Sequence, residues 1–296
     1  MRYFFKQFLN LLILFFKSFI KASKDTILHD GIEHAGYLSF LLMLSILPFI
    51  FFLMSIITFV IPENLSEQIT RLILDHSSIN LDDLIYFLKP SIRKFTSNFP
   101  SHNILTFSIL SSMWTASSIF EGIRTILNRA NRVLNPPCYL FRRFISIVEL
   151  IIVISFTIVA ICFFGIFPLF ISSFTEKLNI NHYNYYSLEQ GARYVKFLSV
   201  STYNFVLLSF LYYFLPNKKV GFLRVIPGCF LVLIFWYLFT HIFKYYISSF
   251  LQMSMIYGSI AGIIITLLYF YCCSIIFIFG AEFNYHLSRA GTIDRV

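Results

Sequence analysis

Six long stretches of this sequence are poor in charge and rich in aliphatic and aromatic residues: Tyr37 to Val60, Ile104 to Leu127, Phe144 to Phe174, Phe197 to Leu215, Val225 to Ile247 and Ile256 to Phe283. The hydrocarbon core of a bilayer is about 30 Å thick and takes about 20 helical residues, so each stretch has the length of a crossing helix. Strands are excluded at these lengths, because a barrel strand needs only about 9–11 residues of alternating pattern. The spacing predicts an all-α, polytopic membrane protein with six transmembrane helices, residues 1–296 forming one integral-membrane domain. Composition agrees. The chain is 58% hydrophobic and 12% charged, about half the charge of a soluble domain, which excludes a soluble enzyme, a coiled coil and a disordered chain. Five cysteines with no C-x-x-C spacing give neither a disulfide framework nor a zinc site, and no cofactor is expected.

The net charge of +9 raises the question of nucleic acid, and the placement of the basic residues answers it. They stand in short connections between apolar runs, where a membrane protein carries its orientation signal. With the amino terminus inside, fifteen basic residues, from Arg2 and Lys6 to Arg289 and Arg295, face the cytoplasm, and eight, including Arg71, Lys89 and Lys177, face the other side beside seven acids. The imbalance predicts cytoplasmic termini, with the lipid bilayer as the partner and no nucleic acid.

Residues 3–20 (YFFKQFLNLLILFFKSFI) are an apolar run interrupted by Lys6, Asn10 and Lys17. Basic residues within and after the run, and the lack of a small-residue cleavage site, argue against a signal peptide. They predict an interfacial helix on the cytoplasmic leaflet. Residues 61–103 are too long for a structureless loop. Leu65, Ile69, Leu72 and Ile73, then Leu81, Leu84, Ile85, Leu88, Ile92 and Phe95, recur at helical spacing and predict a helical extracytoplasmic cap.

Charge inside a membrane span is costly and marks function by default. Glu121 and Arg124 share a face near the cytoplasmic end of the second span, Glu149 lies near the start of the third, and Glu282 closes the sixth. These carboxylates either line a vestibule that attracts a cation or proton, or are structural, paired with Arg124, Arg142, Arg143 or Arg289. Ser108, Ser111, Thr115, Ser118, Thr125 and Asn128 add a polar stripe to the second span. It forms a wall of a pathway, or it lets helices approach closely. Pro48 in the first span and Pro168 in the third are expected kinks. Gly258 and Gly262 form a G-x-x-x-G that favours close approach within a chain or in a homo-oligomer.

Four segments in register, GIEHAGYLSFLLMLSILPFIFFL (Gly31 to Leu53), SSMWTASSIFEGIRTILNRANRV (Ser111 to Val133), YYFLPNKK (Tyr212 to Lys219) and IYGSIAGIIITLLYFYCCSIIFIFGAEFN (Ile256 to Asn284), resemble the signatures of the YihY/BrkB family. The resemblance runs from about Gly31 to His286. It implies a six-helix protein of the bacterial inner membrane with cytoplasmic termini. It also implies roles for Ser45, Pro48, Trp114, Asn128, Pro216, Tyr257, Gly258, Gly280 and Glu282. Where the family usually has alanine-rich residues in the first span, this chain has Phe and Leu.

That family has carried the label ribonuclease BN. Hydrolysis of a phosphodiester by a metal-bound water needs clustered ligands, yet the seven histidines are scattered, with no H-x-H or H-x-x-x-H. No enzyme activity and no metal site are expected. The residues favour a transporter-like protein moving an ion or an amphiphile through a polar pathway within the bundle. A non-transporting scaffold or envelope-integrity and serum-resistance factor is the alternative.

Overall fold

A computed structural model describes residues 2–60, 102–135, 137–161, 182–218, 220–250 and 254–293. Those residues are helical apart from short connections, with no strand among them. Seven helices follow in order among the described residues: α1 (Arg2–Leu28), α2 (Gly31–Val60), α3 (His102–Ala130), α4 (Tyr139–Ile161), α5 (His182–Phe214), α6 (Phe222–Phe250) and α7 (Ser254–Ile293). Most of the expected cap, residues 61–101, lies outside the described residues, as does Pro168. Pro48 falls within α2.

Four helical segments are long and apolar enough to cross a membrane: Tyr139–Ala160, Phe197–Phe214, Phe222–Ile247 and Gly262–Ala290. Gly31–Ile46 is a shorter apolar segment. The four crossing segments correspond to the third, fourth, fifth and sixth expected spans, while the first two expected spans, Tyr37 to Val60 and Ile104 to Leu127, fall partly on residues whose side chains lie outside the described ones. The expected second span is one continuous helix, α3. The amino-terminal helix runs eight residues past the expected Ile20, to Leu28.

The chain forms two compact units. One comprises residues 1–45, 118–146 and 200–296, the other 46–117 and 147–199. In the second, Leu150 and Ile154 of α4 are buried, with Ala116 and Ser117 of α3. The first unit is built around α7, against which α1 and α6 pack. Ala22, Leu231, Phe279 and Phe283 form its core, flanked by Phe19, Phe235 and Leu287. Phe19 meets Phe279 edge-on with ring centroids 5.0 Å apart, and Phe15 meets Phe283 at 4.9 Å. On α6, Phe230, Ile234, Tyr237, Leu238 and Ile242 are exposed while Cys229, Val232 and Phe243 are buried. A continuous exposed apolar stripe of this kind is a liability in water and ordinary against acyl chains.

Two glycines set how closely α6 and α7 approach. A Cβ at Gly280 would collide with the Val232 methyl and sit 2.7 Å from the Tyr212 hydroxyl, and one at Gly228 would overlap the Asn284 amide. Pro227 lies inside α6 without an N–H. The adjacent Gly228 N–H donates to Asn284 Oδ1 at 2.7 Å, so the missing side chain lets an amide of α7 lie on the α6 backbone. Tyr212 completes this contact by donating to the Phe277 carbonyl at 2.6 Å.

Gly262, by contrast, faces open space, with nothing within 4 Å of a Cβ built on it. Gly280→Ala should therefore cost about 1–3 kcal/mol through overpacking, whereas Gly262→Ala, free of any clash, should stabilise by up to about 1 kcal/mol through helix propensity. Thermal unfolding of the two variants in detergent checks the contrast.

Candidate functional site

The site begins with the way α3 ends. The Val133 N–H donates to the Asn128 carbonyl at 2.9 Å and the Arg132 N–H to the Arg129 carbonyl at 2.9 Å, the paired bonds of a Schellman termination. Glycine usually takes the left-handed position of that turn. Here Arg132 takes it, with φ of 57°, at a conformational cost of about 1 kcal/mol. The turn directs its guanidinium back across the end of the helix, toward α1 and α7.

That guanidinium holds four groups together, and a fifth, His286, joins through Asp25. Nη1 and Nη2 donate to the two oxygens of Glu282 at 2.9 and 3.0 Å. Nη2 also reaches Asp25 Oδ2 at 3.1 Å and His29 Nδ1 at 3.2 Å. The guanidinium carbon lies 4.9 Å from the centroid of the Tyr285 ring, within range of a cation–π attraction. His286 Nε2 donates to the same Asp25 oxygen at 2.8 Å. His29 Nδ1 is also 3.0 Å from the Asp25 backbone carbonyl, so it accepts from Arg132 in the tautomer with its proton on Nε2 and donates to that carbonyl when Nδ1 carries the proton.

Glu282 is 3% exposed, and a carboxylate so deeply buried is tolerated because it is paired in this bidentate geometry. Burial raises the Asp25 carboxyl, but the hydrogen bond from His286 and the charges of His286, His29 and Arg132 outweigh it and hold Asp25 below the usual aspartate range. Burial works against the Arg132 charge too, and the bond to Glu282 and the Glu282 and Asp25 charges more than restore it. Asp25, Glu282 and His286 bring metal-capable donor atoms within 4.8 Å of one another. Arg132 spans both carboxylates and supplies the positive charge they require.

Beside this node, Arg129 pairs with Asp30 and meets His34, on the more exposed side of the same turn. Asp30 is itself left-handed, with φ of 54°, and joins α1 to α2. Gly31 follows it at a position where a Cβ would strike the Thr26 carbonyl. A cavity of about 10 Å³ lies between Asp25, His29, His34, Arg129 and Glu282, room for about one water.

The other expected residues fall elsewhere. Glu121 forms a separate node, paired with Arg142 at 3.1 Å and accepting from Ser146 at 3.3 Å. Arg124, 1% exposed, donates to the Arg142 carbonyl at 3.1 Å. Ser118, of the polar stripe, accepts from Arg143 at 3.0 Å, whereas Thr125 bonds back to the Glu121 carbonyl of its own helix. Asn128 exchanges two hydrogen bonds with Asn217, each 2.7 Å, tying the end of α3 to the α5–α6 connection. Glu149 is buried in the second unit, Thr115 is half-buried on α3, and Trp114 is half exposed. The side chains of Ser111, Pro48 and Gly258 lie outside the described residues, though their helices do not.

Glu282 finds Arg132 rather than the neighbouring Arg289, which donates to the Tyr285 hydroxyl instead. Asp25, His29, Arg132 and His286 were not anticipated. The histidines that look scattered along the chain converge here: His29, His34 and His286 lie in or beside the node. A signal existed in Asp25/His29, Asp30/His34 and Glu282/His286, three acid-x-x-x-His pairs that a helix places on one face.

With this geometry in view, comparison with known proteins is informative. Residues 23–295 match the family model described as virulence factor BrkB. The chain belongs to the BrkB family. The BrkB chain is 28% identical over 261 residues to the ribonuclease-like protein YfkH of Bacillus subtilis (strain 168), covering 87% of this chain and 90% of that protein. It is 29% identical over 276 residues to a UPF0761 membrane protein of Actinobacillus pleuropneumoniae serotype 5b (strain L20), covering 90% and 91%. A UPF0761 membrane protein of Vibrio campbellii is 24% identical over 258 residues, covering 86% and 77%. No solved structure matches. Together with the apolar helices, these relatives identify a multi-pass membrane protein.

In this BrkB protein, Arg132→Ala leaves Glu282 buried without its partner and should cost about 3–5 kcal/mol. Arg129→Ala, whose pair is about half exposed on each side, should cost at most about 1 kcal/mol. Arg132→Gly should be about 1 kcal/mol less damaging than Arg132→Ala, because glycine relieves the left-handed backbone. Unfolding in detergent ranks the three.

The depressed Asp25 also sets a pH dependence. Its contribution is complete above the unfolded aspartate value of about 3.9 and is lost as pH falls through the lower folded value. The wild-type melting temperature should therefore fall more steeply below about pH 4 than that of Asp25→Asn.

Proposed function

We propose that this chain is a transport-type protein of the bacterial inner membrane, with both termini in the cytoplasm. It moves an ion or an amphiphile through a polar pathway within the bundle, and the Asp25–Arg132–Glu282 node acts as the gate at the cytoplasmic end. The observation that supports this reading is a paired ion cluster, with Glu282 buried and Asp25 and Arg132 part-buried, where the ends of α1 and α3 meet the later turns of α7. It includes a carboxylate on a helix that is otherwise apolar enough to cross a membrane. A structural pin for three helices needs no more than packing, whereas a cluster of opposed charges opens when a proton, an ion or a charged headgroup offers either side a better partner. The relative named ribonuclease-like would suggest hydrolysis instead. Both carboxylates here are engaged by a guanidinium, and neither serves as a free base toward a phosphodiester, so we assign no enzyme activity.

Reconstitution in liposomes tests the proposal. Flux of ions or of labelled lipid between leaflets is compared for wild type, Glu282→Gln and Asp25→Asn, with gel filtration confirming that each variant is folded. Wild-type flux above empty liposomes, altered at least tenfold by either substitution, is expected. Flux equal to that of empty liposomes across cations, anions and phospholipids overturns it in favour of the non-transporting scaffold.

A further inference from the structure

α1 presents three different faces along its length. At about 100° per residue, Ser18, Ala22 and Thr26 fall on one side, are buried, and pack toward α7 with Phe19. Next around the helix come Leu12, Ile13, Phe16, Ile20 and Ile27, between 46 and 66% exposed. Along the far edge of that apolar face stand Lys17, Lys21 and Lys24, all exposed, with Leu28 among them. Asp25 is the one acid between Leu12 and Leu28. Its carboxylate is engaged by Arg132 and His286. The outward side of α1 is thus an apolar strip bordered by three positive charges, and the one acid of that stretch is bonded to Arg132 and His286.

The depth of this helix follows from its contacts. α1 meets α7 at Phe279, Phe283 and His286, the last turns of the apolar stretch Gly262–Ala290. That level is where a crossing helix leaves the hydrocarbon and enters the headgroups. An exposed apolar face at this level has acyl chains beside it, and lysines on its edge extend to the phosphates.

We propose that α1 is a recognition surface for anionic phospholipid. Phe16, Ile20 and Ile27 enter the boundary between headgroups and acyl chains, and Lys17, Lys21 and Lys24 hold lipid phosphates. Each lysine near an anionic surface strengthens the attraction about fivefold, in a manner screened by salt. This surface is independent of whether the bundle transports anything.

The full-length protein carrying Phe16→Trp, placed in nanodiscs with brominated phosphatidylglycerol or brominated phosphatidylcholine at equal mole fraction, reads the contact by fluorescence quenching, measured against the parent with its two native tryptophans. Phosphatidylglycerol should quench at least twice as strongly, and the preference should shrink at high salt and disappear in Lys17→Gln/Lys21→Gln/Lys24→Gln while quenching itself persists. Native mass spectrometry of the protein without Phe16→Trp should show the same loss of retained phosphatidylglycerol in the triple variant. Equal quenching by the two lipids with the lysines intact overturns the proposal, leaving apolar seating alone. Quenching by neither lipid also overturns it and points to a second copy of the chain covering the face.

Discussion

The bidentate pair between Arg132 and Glu282 decides how the first unit closes. Each member is untenable alone: Glu282 is buried on an apolar helix, and Arg132 sits in a backbone conformation that its side chain disfavours. Together they satisfy both carboxylate oxygens and two guanidinium nitrogens. The left-handed turn at Arg132 places the guanidinium, and the guanidinium in turn offsets the strain of the turn. Asp25, His29, His286 and Tyr285 then gather around a charge already in position. The C-terminal end of α1, the C-terminal end of α3 and the later turns of α7 are thereby held by one group.

Closeness of the helices elsewhere serves the same end. Gly228 and Gly280 let α6 and α7 approach until the Asn284 amide touches backbone and Tyr212 reaches the Phe277 carbonyl. Glu282 lies two residues beyond Gly280, so the register that this contact imposes on α7 is also the register that presents Glu282 to Arg132. The Asn128–Asn217 exchange does the equivalent for α3, fixing the helix at the residue whose carbonyl accepts the first Schellman bond. Polar bonds here act as register marks within a bundle whose bulk attraction is nonspecific packing.

Much of this was legible in residue patterns and some was not. Helicity, the membrane character and the amphipathic start of the chain follow from apolar stretch length and from the placement of lysines, because a bilayer imposes these constraints locally. Glu282 stood out because an acid at the end of an apolar run is expensive. Its partner did not, since Arg132 lies 150 positions away and reads as an orientation charge among several others. The left-handed turn was hidden because arginine occupies the place where glycine would have announced it. The spacing of the histidines from each other carries no signal, whereas three of the seven, His29, His34 and His286, each stand four residues after an acid. For Glu121, the sequence supplied the right partner among several, Arg142; only geometry separates that node from the one at Glu282.

α1 joins the bilayer surface to the node. One side of it is packed on the core through Phe19 and Ala22, its outward side is apolar and cationic, and the Asp25 and His29 side chains near its end are bonded to Arg132. A helix is stiff over this length, so a force that seats the outward side more deeply or rotates it must be taken up at the contacts of its other face. The aromatic contacts with Phe279 and Phe283 tolerate small rotations because edge-on rings slide at little cost. Hydrogen-bonded charges do not, since their energy falls steeply with distance and angle. Any displacement of α1 is therefore felt first at Asp25, whose one oxygen serves both Arg132 and His286, and loss of that oxygen would leave Glu282 as the main anchor of the Arg132 charge.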